Sequence, residues 1–322
     1  MLNVLGEKYK MRDTGLLGGL VNNIKEAAMN ILEAMRTRRS DRTYLDKPVP
    51  EALLKRLIEA FDKSQRLNAL GLRLLPMEPD RVEHAMTGLI GSYGRIKNAP
   101  VWVIGLSEDG KHHQENFGFA MEQFILECTR EGLGTCWVGG FFKTSLLEEV
   151  VPKGKNERIE CISPVGYAAA RRLGETSMRV LGGLNSRKPL SERVFEDRWG
   201  NPATEYLSSR KNLREVFELA RWAPSSSNHQ PCHYIVSDQK IVLCVLPSLK
   251  KKYPAIVEKG KGMNFDLQGI DAGIAMSHVA LAGEELGVRG KWTLRVSESE
   301  LKAKHQLPGE ARVIGVFDYE IV

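Results

Sequence analysis

"GFAMEQFILECTREGLGTCW" (118–137) and "GIAMSHVALAGEELGVRGKW" (273–292) are near-copies in one chain of 322 residues. At an offset of 155 they agree at Gly118/Gly273, Ala120/Ala275, Met121/Met276, Leu126/Leu281, Gly132/Gly287 and Trp137/Trp292. Apolar residues recur at helical spacing, as in Phe119, Phe124, Ile125 and Cys128, and each run reaches a glycine suited to a left-handed C-cap. Both therefore read as helices. A second echo, "LLKRLIEAF" (53–61) and "NLREVFELA" (212–220), is again helical and precedes each longer run in the same order. Two ordered matches at nearly equal offsets point to an internal duplication rather than to two unrelated amphipathic helices. The expected organisation is a lead-in over 1–30, helical from about 22, a first half over 31–200 and a shorter second half over 201–322.

Outward from the repeat, each half holds strand-like runs: "PVWVIGL" and "IECISPVGY" in the first, "CHYIVSD" and "ARVIGVFDYEIV" in the second. Short β-rich runs separated by helices predict an α+β fold with helices packed on sheet. The apolar stretches fall short of the roughly 20 residues that span a bilayer. With no secretory leader pattern either, a cytoplasmic protein without a membrane partner is expected. Five cysteines (Cys128, Cys136, Cys161, Cys232, Cys244) form no CxxC pair, which favours reduced core thiols over disulfides or metal ligands. The net charge of +6 suits an anionic ligand. The lysine run at 249–253 lacks the interleaved aromatics of a nucleic-acid surface and reads as a solvated loop. No GxSxG, HExxH or P-loop occurs, and adjacent His112 and His113 read as surface residues.

Three stretches carry candidate chemistry. "RRSDR" (38–42) packs Arg38, Arg39, Ser40 and Arg42 after a helical run, and guanidinium forks beside a hydroxyl match a phosphate dianion. A solvated charge cluster at a helix end has the same composition. "GLGTCWVGGF" (132–141) is rich in glycine, which lets backbone N–H groups approach a flat ligand. It misses the dinucleotide fingerprint because Trp137 stands where GxGxxG needs glycine, so a Rossmann site is rejected. "ARWAPSSSNHQP" (220–231) stops a helix at a proline and then offers Ser225, Ser226, Ser227, Asn228 and Gln230, the pattern of a rigid polar recognition loop.

Together with "RKPLSERVF" (187–195), these stretches resemble the FMN-dependent nitroreductase family, and the doubled arrangement resembles its fused two-copy branch. The resemblance covers most of 31–322. It implies a three-layer α+β sandwich whose halves form an intramolecular pseudo-dimer, so that a monomer suffices. It also implies FMN as cofactor, NAD(P)H as co-substrate and a small-molecule electron acceptor. By the same resemblance Arg38, Arg39 and Ser40 hold the phosphate, helped by Arg187 and Lys188, and Arg42 faces the N1 and O2 edge of the ring. Val138, Gly139 and Gly140 turn backbone N–H groups to N5 and O4, while Pro224, Ser225, Ser226, Asn228 and Gln230 line the ribityl chain and ring, with His229 at the border.

The two halves carry complementary gaps. Where the first half should have a serine loop it reads "DKSQRLNALGL" (62–72); where the second should have the arginines it reads "DRWGNPATEY" (197–206); and its glycine turn is "GVRGKWTL" (287–294). One complete site and one dead mirror site are therefore expected. The implied activity is ping-pong reduction of nitroaromatic, quinone or similar electron-poor acceptors, with the flavin reactive and Arg42 as electrostatic tuner, no catalytic side chain and no metal. A non-catalytic FMN store or sensor is the other reading. Residues 62–95 and 247–268 are candidate lids.

Overall fold

The computed structural model describes residues 29–86, 96–140, 142–170, 186–247 and 267–322. The helices that organise it are α1 (Ile31–Thr37), α2 (Glu51–Asp62), α3 (His113–Arg130), α4 (Lys211–Ala220) and α5 (Gln268–Leu286). One antiparallel sheet contains β1 (Leu72–Met77), β2 (Val101–Glu108), β3 (Gly134–Thr135) and β4 (Glu157–Gly166) in the order β1-β2-β4-β3. The other contains β5 (Val194–Glu196), β6 (Cys232–Ser237), β7 (Lys240–Val245), β8 (Val288–Thr293) and β9 (Arg312–Ile321) in the order β5-β6-β7-β9-β8. Without β5 the two orders correspond strand for strand. The outer strand β5 runs parallel to β6 and comes from chain that precedes residue 200.

The fold is α+β, and the four strand-like runs became β2, β4, β6 and β9. The structure adds β1, which revises the proposed lid at 62–95: Leu72–Met77 pairs along its whole length with Ser107–Trp102 of β2. "LRLLPM" has little β propensity of its own, and Pro76 is accommodated because β1 lies at the edge of the sheet. The lead-in before residue 29, the lysine run at 249–253 and most of the second candidate lid lie outside the described residues.

Helices α3 and α5, the two copies of the opening phrase, cross at the centre through their glycines. A Cβ on Gly118 would lie 2.4 Å from the Ile270 carbonyl oxygen, and one on Gly273 would lie 2.1 Å from that of Glu115. Residues 115 and 270 are again 155 apart, so the contact is reciprocal. Such close approach of two backbones is open only to residues without a side chain. The repeats end as their glycines require, with Gly132 and Gly287 at φ of 73° and 72°.

Apolar residues on most faces of α3 are buried, including Phe117, Phe119, Met121, Phe124, Ile125 and Cys128, because structure covers it on several sides. Ile270 and Ile274 of α5 pack with Phe117, Met121 and Phe124. In return α1 buries Ala34 and Met35 among Val216, Leu219, Met276 and Val279. At about 25 cal/mol per Å² of apolar surface, burying one Met side chain stabilises by about 1.5–3 kcal/mol. That burial fixes where the arginine cluster at the end of α1 must lie.

Candidate functional site

Helix α1 begins on an Asn30 cap, whose Oδ1 accepts from Glu33 N at 2.9 Å. It ends at Arg38, whose N–H donates to Ala34 O at 2.8 Å. Because Ala34 and Met35 anchor the helix in the core, the Arg38 side chain is buried too, 5% exposed. Arg38 and Arg221 lie close enough to Arg187 to depress its ionisation, which burial and these two positive neighbours bring down to about 10. Arg38 Nε and Nη1, Arg187 Nε and Arg221 Nε are buried without a hydrogen-bond partner among the described residues. Arg221 also pairs with Glu218 at 2.9 Å; the donors left unmet on the three guanidinium groups are matched by an oxyanion with several acceptor oxygens.

Arg187 joins this cluster to the serine loop. Its Nη1 donates to Asn228 Oδ1 at 2.6 Å and its Nη2 to Trp222 O at 3.3 Å. Asn228 and Gln230 both donate to Ser186 O, and Lys188 N donates to Gln230 Oε1 at 3.0 Å. The two segments are thereby laced together through backbone and side chain. Arg221, read over in the sequence as the end of a helix, is a member of the cluster; its Nη1 donates to Lys188 O at 3.4 Å.

"RRSDR" is tied equally to the glycine turn. Ser40 bridges Thr135 in parallel, and Asp41 N donates to Thr135 O at 2.8 Å. Arg39 stands apart from Arg38: its side chain is 57% exposed and pairs with Asp41 at 3.1 Å. Arg42 contributes its carbonyl to Lys97 N, and its side chain is partly buried. Val138 exchanges both backbone hydrogen bonds with Ile162, so its N–H is committed to the sheet. Gly139 follows with its bare Cα against Leu267, where a Cβ would approach Cδ2 to 2.7 Å. In the mirror stretch β8 stays paired to β9 as far as Thr293↔Val316, whereas β3 breaks off after Thr135 and the chain meets β4 again at Val138.

The serine loop is held in a costly conformation. Ser227, Asn228 and Gln230 have φ of 49°, 55° and 51°, a left-handed region that non-glycine residues enter at a cost. The surroundings enforce it: Gln230 N donates to Ser225 Oγ at 2.8 Å, and Ser226 N donates to Asp271 Oδ1 at 2.9 Å. Helix α4 ends at Ala220, earlier than Pro224, because the chain turns there to present Arg221 and Trp222. A small cavity behind the loop, about 40 Å³, is lined by Pro224, Ser225, Gln230, Arg221, Arg193 and Asp271 among others.

In the first half Asn116 Oδ1 accepts from Leu67 N at 2.8 Å. Asn116 and Asp271 are 155 residues apart; Leu67 and Ser226 are 159 apart, the offset of the helices preceding them. The stretch 62–72 is thus the structural counterpart of the serine loop, turned in on itself by Arg66, which donates to Phe61 O at 2.7 Å and Ser64 O at 3.0 Å.

Burial pushes the Asp271 carboxyl up to about 7, opposed by the hydrogen bond from Ser226. Its folded value lies above the ordinary carboxylate range, so its contribution to stability is present below about pH 4 and lost as pH rises through about 7. Asp271→Asn keeps an acceptor for Ser226 and cannot ionise. Melting curves should show the variant gaining on the native chain from about pH 4 to 8, by a few kcal/mol, since each tenfold change in proton affinity on folding is worth about 1.4 kcal/mol. A gain independent of pH would contradict this account.

His112 and His113, expected at the surface, are partly buried, each side chain 22% exposed. His113 Nδ1 contacts buried Glu160 at 2.5 Å, which raises its pKa. His112 faces Glu115, three residues on, at 3.8 Å, whereas Glu160, the partner of His113, is distant in sequence and left no local signal. The five cysteines are free thiols, as expected. Among the described residues no helix is long and apolar enough to cross a membrane.

A "putative nitroreductase" from Thermotoga maritima is similar to this chain, with a TM-score of 0.51, 18% identity, and 91% of this chain and 95% of that chain covered. That likeness concerns the fold. A nitroreductase family protein from Clostridium novyi NT aligns over 55% of this chain and 98% of its own, at 19% identity and a TM-score of 0.40. A "putative nitroreductase in complex with fmn" from Desulfovibrio desulfuricans aligns over 45% and 94%, at 20% identity and a TM-score of 0.37. No curated protein matches. The family model described as "Putative TM nitroreductase" matches residues 30–283, most of the chain, and the protein belongs to that family.

Proposed function

We propose that this chain is an FMN-dependent NAD(P)H oxidoreductase acting on nitroaromatic, quinone or similar electron-poor acceptors, and that it works as a single-chain pseudo-dimer with one complete flavin site. The observation that carries the reading is the trio of buried Arg38 with partly buried Arg187 and Arg221, each with a guanidinium donor unmet among the described residues, and a direct bond from Arg187 to Asn228 of the serine loop. Family membership supports the same reading. The reciprocal glycine contact of α3 and α5, the shared strand order and the Asn116/Asp271 equivalence support the pseudo-dimer.

The residues present fit FMN. Arg38, Arg187 and Arg221 would hold the phosphate, with Ser40 and Lys188 beside them. The Ser225–Gln230 loop would line the ribityl chain, and Gly139 and Gly140 would admit the ring edge. Bound FMN would supply the redox chemistry. Arg42 would place a fixed positive charge beside the N1 and O2 edge, which favours the more negative, reduced form of a ring with little reorganisation. NAD(P)H and acceptor would occupy one face of the site in turn.

Purified protein should carry one FMN per chain, behave as a monomer in size-exclusion chromatography with light scattering, and oxidise NAD(P)H only when an acceptor is supplied, with parallel double-reciprocal plots. Two flavins per chain would refute the single site. A yellow protein without turnover would favour storage or sensing instead.

A further inference from the structure

Beneath the arginine cluster lies a carboxylate that the functional reading has not used. Glu122, at the middle of α3, is fully buried, and both of its oxygens are engaged. Trp137 Nε1, on the chain leading into the glycine turn, donates to Oε2 at 2.8 Å. His278 Nε2, on α5, faces Oε1 at 3.0 Å, and its Nδ1 donates to Leu219 O at 3.0 Å, two residues before Arg221. Arg38 Nε stands 3.9 Å from the same Oε1, with both side chains nearly or wholly shielded from water. Two of the three stretches singled out in the sequence, far apart along the chain, thus reach one acidic group, and His278 ties that group to Leu219, which immediately precedes the third. Its position on α3 is fixed by groups from three other parts of the chain: Arg38 at the end of α1, Trp137 beyond β3, and His278 on α5.

We propose that Glu122 is the positioning residue for the phosphate site: held by Trp137 and His278, it steers the Arg38 guanidinium and offsets the repulsion between Arg38 and Arg187. This rests on the proposed FMN site. The physical reason is that a long arginine side chain, close to the positive Arg187 and short of hydrogen-bond partners among the described residues, has no intrinsic cause to remain beside it. A rigid buried carboxylate at 3.9 Å supplies one. Arg38 Nη1, with no partner among the described residues, is left for the incoming anion.

The test compares FMN with riboflavin, which lacks the phosphate, by flavin-fluorescence titration of the flavin-free protein. Glu122→Gln keeps the size of the side chain and removes its charge. It should weaken FMN binding by about tenfold or more and riboflavin binding by much less, and it should have little further effect in an Arg38→Ala background, since it acts through Arg38. Equal losses for the two flavins, or an undiminished loss without Arg38, would overturn the proposal by showing a general loosening of the fold. If Glu122→Gln does not fold, Trp137→Phe removes one tether while keeping an aromatic ring, and it should show the same preference for FMN over riboflavin in its loss. A native protein that binds neither flavin would sink the FMN reading itself, which separates that failure from a failure of Glu122.

Discussion

Arg38→Ala should weaken FMN binding by about 10- to 100-fold while leaving a folded protein, because a charge-assisted hydrogen bond to an anion contributes about 1.5–3 kcal/mol. Arg38 is the member of the cluster supplied by α1, and two of its nitrogens have no hydrogen-bond partner among the described residues. Lysine should rescue it poorly, since a single ammonium cannot reproduce the two-pronged geometry of the guanidinium. Arg39→Ala is the informative companion. Its side chain is largely exposed and turned to Asp41, so its removal should change affinity by no more than about twofold, in the range of exposed ion pairs. Isothermal titration of flavin-free protein with FMN measures both. Equal losses at the two positions would mean that the motif acts as a diffuse charge, and the cluster built around Arg187 would then lose its role.

Gly273→Ala should destabilise the fold by about 3 kcal/mol or more, although it adds a single methyl group. That methyl would stand 2.1 Å from Glu115 O and 2.7 Å from Phe119 N, both backbone atoms that no rotamer change can move. The helices would have to separate, loosening Ile270 and Ile274 from Phe117 and Met121. Gly118→Ala, whose methyl would meet Ile270 O at 2.4 Å, should cost a similar amount because the contact is reciprocal. Gly309→Ala, with nothing within 4 Å, is the control and should be near neutral. Denaturant melts of the three variants decide the matter: a mild effect at Gly273 together with a severe one at Gly118 would argue against equivalent packing at the two positions.

Much of the architecture could be read before any coordinates, because the signals were local or repeated. The period of α3 and α5, their terminal glycines and the β-rich runs that became β2, β4, β6 and β9 depend on neighbours a few residues away. So does the serine loop, whose Ser-rich, proline-flanked composition marked it as unusual. β1 escaped notice because "LRLLPM" has weak preference for any structure and becomes a strand only by pairing with β2.

What tertiary structure alone decided is which members of each motif meet. The sequence offered Arg38 and Arg39 as equals; burial of Ala34 and Met35 sends the first inward, while Asp41 holds the second at the surface. Arg221 joined the cluster unannounced, and Glu122, Asp271 and Asn116 carried no motif at all. Each is a polar group buried on a central helix, and its meaning lies in the residue it touches across the molecule. Chain order encodes period and turn chemistry, but the low dielectric and unmet donors that give a buried charge its function come into being only when distant segments exclude water together.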